Sequence, residues 1–175
     1  DRITPRATNK LREDVEHIFP GFGETVVQTE DFTQWVIEDN FTSDFPNLTK
    51  VGVTVTKDIK PYEETKIRVL NGGHTSLAYL GALSGYTTFD EVMNNETHRQ
   101  HFRQLQKEEI VPSLDIDLPF DIYDYVDSVE ERFSSATNLD ELDRICMDGF
   151  TKFHTFVVPS LRECLKQGKR PVQIY

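Results

Sequence analysis

Positive charge is scarce in this sequence: 19 Lys and Arg stand against 30 Asp and Glu, a formal net charge of −11. Nucleic acid binds through clustered cations on its phosphates, so that class of partner is excluded. Cysteine is rarer still. Cys146 and Cys164 have no neighbouring second thiol, which argues against a CxxC metal or redox motif and predicts reduced structural thiols. No apolar run approaches the roughly 20 residues that cross a bilayer as a helix. The opening residues Asp1, Arg2, Ile3, Thr4 and Pro5 offer neither an initiator Met nor a signal-peptide pattern. They predict the interior of a longer protein, with the cytoplasm as its compartment. A glycine-rich phosphate loop is missing as well. Gly21-Phe22-Gly23 lacks a third glycine, follows Pro20 instead of a strand, and has no helix after it.

What remains is an ordinary globular mixture, 37% apolar and 28% charged over 175 residues, enough for one domain spanning 1–175 with its own core. Leu11, Val15 and Ile18 have helical spacing, so residues 6–18 are expected to form a helix stopped by Pro20-Gly21. Segments 24–28, 33–38 and 51–56 are short and rich in Val, Ile and Thr, and predict strands; Trp35 among them is expected in the core. Helices are expected from Pro61 onward, then over 74–84, 88–93, 97–110, 121–133, 138–147 and 154–167. Thr88 and Glu91 have the spacing of a capping box. The fold class is therefore mainly α, with a small β element near the start.

Chemistry concentrates between Lys66 and His74. On a continuous α-helix Asn71 lies about 140° and His74 about 80° from Lys66, so all three could share one broad face, with Asn71 at its far edge. Gly72-Gly73 is expected to interrupt that helix and re-aim His74, since two glycines cost roughly 2 kcal/mol there. A buried lysine can take the proton of a secondary alcohol, an amide can donate to the developing alkoxide, and a histidine can fix a neighbouring hydroxyl. Spacing alone equally permits a surface lysine, a helix-ending turn and a satisfied histidine. His98 and His101 sit one turn apart and would suit a metal, but no third ligand is evident and a solvated helix face is expected. Asp115, Asp117, Asp121, Asp124 and Asp127 lack the glycine and terminal Glu of an EF-hand. His17 and His154 are isolated. The sequons at Asn40, Asn47 and Asn95 are chance matches without a secretory signal.

Lys66, Asn71-Gly72 and His74, followed by Ala78-Tyr79-Leu80-Gly81, resemble the polyol-specific long-chain dehydrogenases, the family of mannitol 2-dehydrogenase, arabinitol dehydrogenase and the fructuronate and tagaturonate reductases. Asp1 to Pro5, Gln34 to Asp39, Glu131-Arg132-Phe133 and the set Arg144, Ile145, Asp148, Gly149 and Lys152 carry the likeness across nearly the whole chain. The resemblance implies a helical C-terminal substrate domain whose partner is its own N-terminal Rossmann domain. That missing domain would bind NAD or NADP. It also implies metal-free oxidoreduction between a polyol or aldonate and its ketose or keto-hexuronate. By the same resemblance Lys66 is general base and acid, Asn71 stabilises the alkoxide-like oxygen, and His74 positions the substrate. Arg144, Lys152 and Asp1 line its pocket; for Arg144 and Lys152 a helix-end charge pair is the alternative. Gly73 and Phe150 stand where the family usually has Ser, Ser135-Ala136 where it has Asn-Pro, and Met147 where some members carry a polar residue. The rivals are a non-catalytic helical interaction module of the same ancestry and a metal-dependent enzyme built on His98 and His101.

Overall fold

The computed structural model describes residues 7–30, 32–135 and 140–174. Helix α1, Asn9–Ile18, starts where the Thr8 side chain accepts the Leu11 N–H, one of the donors a helix start leaves free. The Glu16 carboxylate then accepts the N–H groups of Gly21 (2.8 Å) and Gly23 (3.0 Å) and folds the chain back on the helix. This corrects the strand expected over 24–28. Gly23–Thr25 is instead a 3-10 turn, in which the Thr25 N–H and hydroxyl both donate to the Phe22 carbonyl at 3.1 Å, so that backbone donor is not free for a ladder.

The other two strands form, shortened to β1 Val36–Glu38 and β2 Thr54–Thr56. They pair in parallel with Val36 opposite Thr54 and Glu38 opposite Thr56. Trp35, expected inside, is 54% exposed: it lies just ahead of β1 in a sheet of only two strands, which has little surface of its own to cover it.

From Lys60 to Leu83 the backbone is helical without a break, which overturns the interruption expected at Gly72-Gly73. Helix α2, Lys60–Thr65, takes Pro61 in its first turn, widens into a π-helical segment over Lys66–Gly72, and continues as α3, Gly73–Leu83. The glycines serve packing. A Cβ on Gly72 would lie 2.9 Å from the Phe156 carbonyl oxygen, and one on Gly73 would lie 2.8 Å from the Phe102 ring. Close approach of neighbouring segments outweighs their poor helix propensity.

Helix α4, Phe89–Asn94, carries the expected capping box, with Glu91 accepting the N–H groups of Thr87 and Thr88. Asn95 caps α5, Glu96–Gln104, which widens over Leu105–Ile110. Asp121 caps α6, Ile122–Phe133, and so accounts for one of the clustered acids. A strap at 140–142 bonds to the start of α4, Phe89 donating to Asp140 and Leu142 to Thr87, each at 2.9 Å. The helix expected over 138–147 accordingly begins only at Leu142, as α7, Leu142–Cys146; its first two expected positions lie outside the described residues. The chain then forms α8, Gly149–Lys152, a π segment over Phe153–Val157, and α9, Val158–Lys166.

Helix α3 runs through the middle of the core, with Leu77 and Ala78 fully buried among Val92, Met93, Phe102 and Leu142. Two buried charges tie elements together across it. Arg68 donates to Ser160 Oγ at 2.8 Å and to Ser113, and the Glu109 carboxylate accepts three consecutive backbone N–H groups, Val172 to Ile174, fixing the tail. By contrast α1 buries no residue at all. No described helix is long and apolar enough to cross a membrane.

Candidate active site

The widened turn decides how the first predicted trio sits. A π-helix bonds each residue to the one five ahead, so residues five apart stand one turn apart. Lys66 and Asn71 are five apart in such a segment, and His74 follows Asn71 by three along α3, close to one α turn. The three therefore share one edge of the helix, more closely than uninterrupted α register would allow.

Each side chain is in an unusual condition for its type. Lys66 is half-buried, and its pKa lies below the usual lysine range, first because burial disfavours the ammonium and second because the Arg132 guanidinium is near. Asn71 Oδ1 is buried without a hydrogen-bond partner. His74 Nε2 is buried and unpartnered too, and burial, with smaller contributions from Arg144 and Lys152, pushes that imidazole down to about 3. The His74 ring is wedged between Phe89, edge-on at 4.3 Å between ring centres, and Phe133, stacked at 4.9 Å. Buried polar atoms normally have partners, and orphaned ones mark strain or a place where another molecule bonds. Two such atoms and a half-buried amine follow one another along one helix edge.

A cleft of about 90 Å³ reaches His74 and is lined by Glu30, Leu70, His74, Phe89, Arg132, Phe133 and Asp140; Lys66 and Asn71 are not among its lining residues. Arg132 grips Glu30 through two bonds of 2.6 and 2.8 Å and lies 3.9 Å over the Phe32 ring. Arg144 is paired with Asp140, four residues back in the strap ahead of α7. Lys152 donates to the Ile145 carbonyl at 2.7 Å, closing the end of α7. Both cations are near enough to His74 to depress its pKa, so Arg144 and Lys152 belong to the same neighbourhood as Lys66, Asn71 and His74. Each has the helix-end partner that the alternative reading expected, and neither is among the residues that line the cleft. Asp1 lies outside the described residues.

Gly149 allows this neighbourhood to close up. A Cβ there would lie 2.2 Å from Tyr79 Oη, which donates at 3.0 Å to the Cys146 carbonyl and ties α3 to the bend between α7 and α8. Asp148 takes the left-handed backbone at that bend, φ 57°. The sequence reading missed Glu30, Arg132 and Asp140 as cleft residues. Arg132 sits inside a motif that was noticed, but a motif does not reveal which way its arginine faces.

The other candidates disperse. His98 bonds Asn95 and approaches Ser84, while His101 lies on the neighbouring turn with its Nε2 buried and unpartnered. Among the described residues no three His, Cys, Asp or Glu side chains gather as ligands for a metal ion. The N–H groups of Gly21 and Gly23 are already taken by Glu16, so that turn has nothing to offer a phosphate. Both cysteines are free thiols.

Comparison with known proteins gives the family of the chain. Residues 58–175 match the family model described as mannitol dehydrogenase C-terminal domain. Over 167 residues the chain is 42% identical to a mannitol dehydrogenase of Saccharomyces cerevisiae, covering 95% of this chain and 33% of that protein. It is 39% identical over 173 residues to a D-arabinitol 4-dehydrogenase of Ralstonia nicotianae, covering 98% of this chain and 37% of that one. Among solved structures it is similar to Pseudomonas fluorescens mannitol 2-dehydrogenase in ternary complex with NAD and D-mannitol. There the TM-score is 0.85 and the identity 36%, over 99% of this chain and 35% of that one. A substrate-free D-sorbitol dehydrogenase superposes with a TM-score of 0.91 at 30% identity, over 99% of this chain and 36% of that one. The chain thus spans about a third of the length of the relatives it matches.

Proposed function

The chain belongs to the mannitol dehydrogenase C-terminal domain family, and on that premise we propose that it is the substrate-side part of an NAD- or NADP-dependent polyol dehydrogenase in which Lys66 moves the proton. The observation that carries this reading is the pairing of a half-buried amine with two orphaned buried polar atoms on one helix edge. In alcohol oxidation the neutral Lys66 amine takes the hydroxyl proton; in ketone reduction the ammonium returns it. Asn71 Nδ2 donates to the oxygen as charge builds on it, and Asn71 Oδ1 accepts from an adjacent hydroxyl. His74 stays neutral, held flat by Phe133, and offers Nε2 to a second hydroxyl. No metal ion takes part in this scheme.

The nicotinamide cofactor, when bound, gives or takes the hydride. Its phosphates have no fitting cradle among the described residues, so its grip falls to the remainder of a longer protein, in keeping with the third of the relatives' length spanned here. The apolar groups this chain leaves exposed, among them Phe19, Phe22 and Phe150, suit a surface covered by that remainder. By itself the chain is expected neither to hold the dinucleotide tightly nor to turn over.

Neutral polyols fit the cleft better than sugar acids. The guanidinium that lines it, Arg132, is already engaged by Glu30, and that of Arg144, outside the lining, is engaged by the cleft residue Asp140, so the groups best shaped to grip a carboxylate are taken. A hexuronate or aldonate would have to displace Glu30 or Asp140. The test is turnover of the full-length protein on hexitols and pentitols against aldonates, and on the matching ketoses against keto-hexuronates. Asn71→Leu is assayed alongside and is expected to lower kcat/KM for the best substrate about 100-fold or more. A preference for the acids would overturn the substrate reading, and unchanged turnover in Asn71→Leu would overturn the site.

A further inference from the structure

Among the described residues three helical segments widen to π register, and two of them have an evident cause. Leu105–Ile110 is followed by Pro112, and Phe153–Val157 is followed by Pro159. Proline brings no N–H, and its ring collides with the carbonyl four residues back, here Glu108 and Thr155, each inside the widened stretch. The third segment, Lys66–Gly72, has no proline after it before the helix ends at Leu83. Something other than proline must hold that turn open.

Gln106 is placed to do so. It reaches from the widened end of α5, 1% exposed, and its Nε2 donates at 2.9 Å to the Val69 carbonyl in the middle of the turn. That carbonyl needs the help, because the Gly73 N–H is divided between it and the Leu70 carbonyl. Gly73 supplies the room: a Cβ there would stand 2.6 Å from Gln106 Nε2. The far end of the amide, Oε1, is buried with no partner. A leucine or methionine would fill the same space without an orphaned oxygen, so the donor end is what this side chain contributes.

We propose that Gln106 is a positioning residue for the reaction: its amide, admitted by the bare Gly73, holds the π turn that stacks Asn71 over Lys66. This rests on the reading of Lys66 and Asn71 as the proton-transfer and oxyanion groups. Without the wedge the segment relaxes toward α register, where residues five apart stand about 140° apart around the axis and no longer face one substrate oxygen. Misplacement on the scale of 1 Å is enough to cost about 100-fold in rate.

The experiment uses the full-length protein with a polyol and dinucleotide. Gln106→Met keeps the volume and removes the donor; it is expected to lower kcat at least about 10-fold while both KM values move less than about threefold. The double variant Gly73→Ala/Gln106→Ala refills the slot with carbon and separates packing from positioning: it is expected to recover thermal stability relative to Gly73→Ala, yet keep the low kcat. Recovery of kcat together with stability overturns the proposal, as does Gln106→Met with unchanged kcat in a protein where Lys66→Ala is inactive. Retained turnover in Lys66→Ala is a different failure. It removes the underlying assignment of Lys66, and this proposal with it.

Discussion

A lysine that is to share a proton with an alcohol must be neutral part of the time near physiological pH, and its surroundings decide that. Lys66 is biased the right way, by burial first and by Arg132 second. Oxidation needs the free amine, so its rate should climb with pH through the Lys66 pKa and level off above it. Replacing Arg132 by Leu removes the second influence and raises that pKa. The rising limb of log kcat/KM for polyol oxidation should then move to higher pH, whatever happens to the plateau. A limb that stays in place would show that Arg132 does not act on the amine. His74 works in the opposite sense for stability. A free histidine titrates near 6.5, the folded one at about 3, and between those values the unfolded chain binds a proton that the folded chain refuses. Stability is therefore whole above pH 6.5 and falls as pH drops toward 3, by about 1.4 kcal/mol per unit from this group. Thermal melts between pH 7 and 4.5 should show a shallower decline in His74→Leu than in the parent. Equal slopes would mean that the imidazole accepts its proton without strain.

Elements were easiest to foresee where a local rule governed them. The Thr88–Glu91 box starts α4 as expected, because capping depends on four consecutive residues and little else. The segment at 24–28 misled because Glu16 folds the chain back just ahead of it and Thr25 then closes a tight turn on the Phe22 carbonyl, contacts that β-propensity does not register. Gly72-Gly73 misled for a tertiary reason: read locally the pair breaks a helix, but Phe156 and Phe102 press on it from outside. That reversal is testable. A methyl group on Gly72 meets the Phe156 carbonyl oxygen at 2.9 Å, and backbone cannot step aside as a side-chain tip can. Gly72→Ala should therefore destabilise the protein by about 1–3 kcal/mol, despite alanine's better helix propensity. A rise in Tm would indicate that the glycine pair is slack.

At the scale of the whole molecule, composition and periodicity conveyed a mostly helical chain with a small β element, and the structure has that character. The trio of Lys66, Asn71 and His74 was suggested by its motif; what the spacing did not disclose was the π register that aligns it, set by contacts tens of residues away. Glu30 and Arg132 escaped notice for the same reason, since they meet across 102 positions of sequence. The most direct test of the account is the turnover of full-length Lys66→Met, which keeps the stem of the side chain and removes the amine. Polyol oxidation should fall by at least about 100-fold at every pH, with its rising limb abolished and the melting temperature essentially kept. A folded Lys66→Met protein that oxidises the polyol at near the parent rate would contradict it.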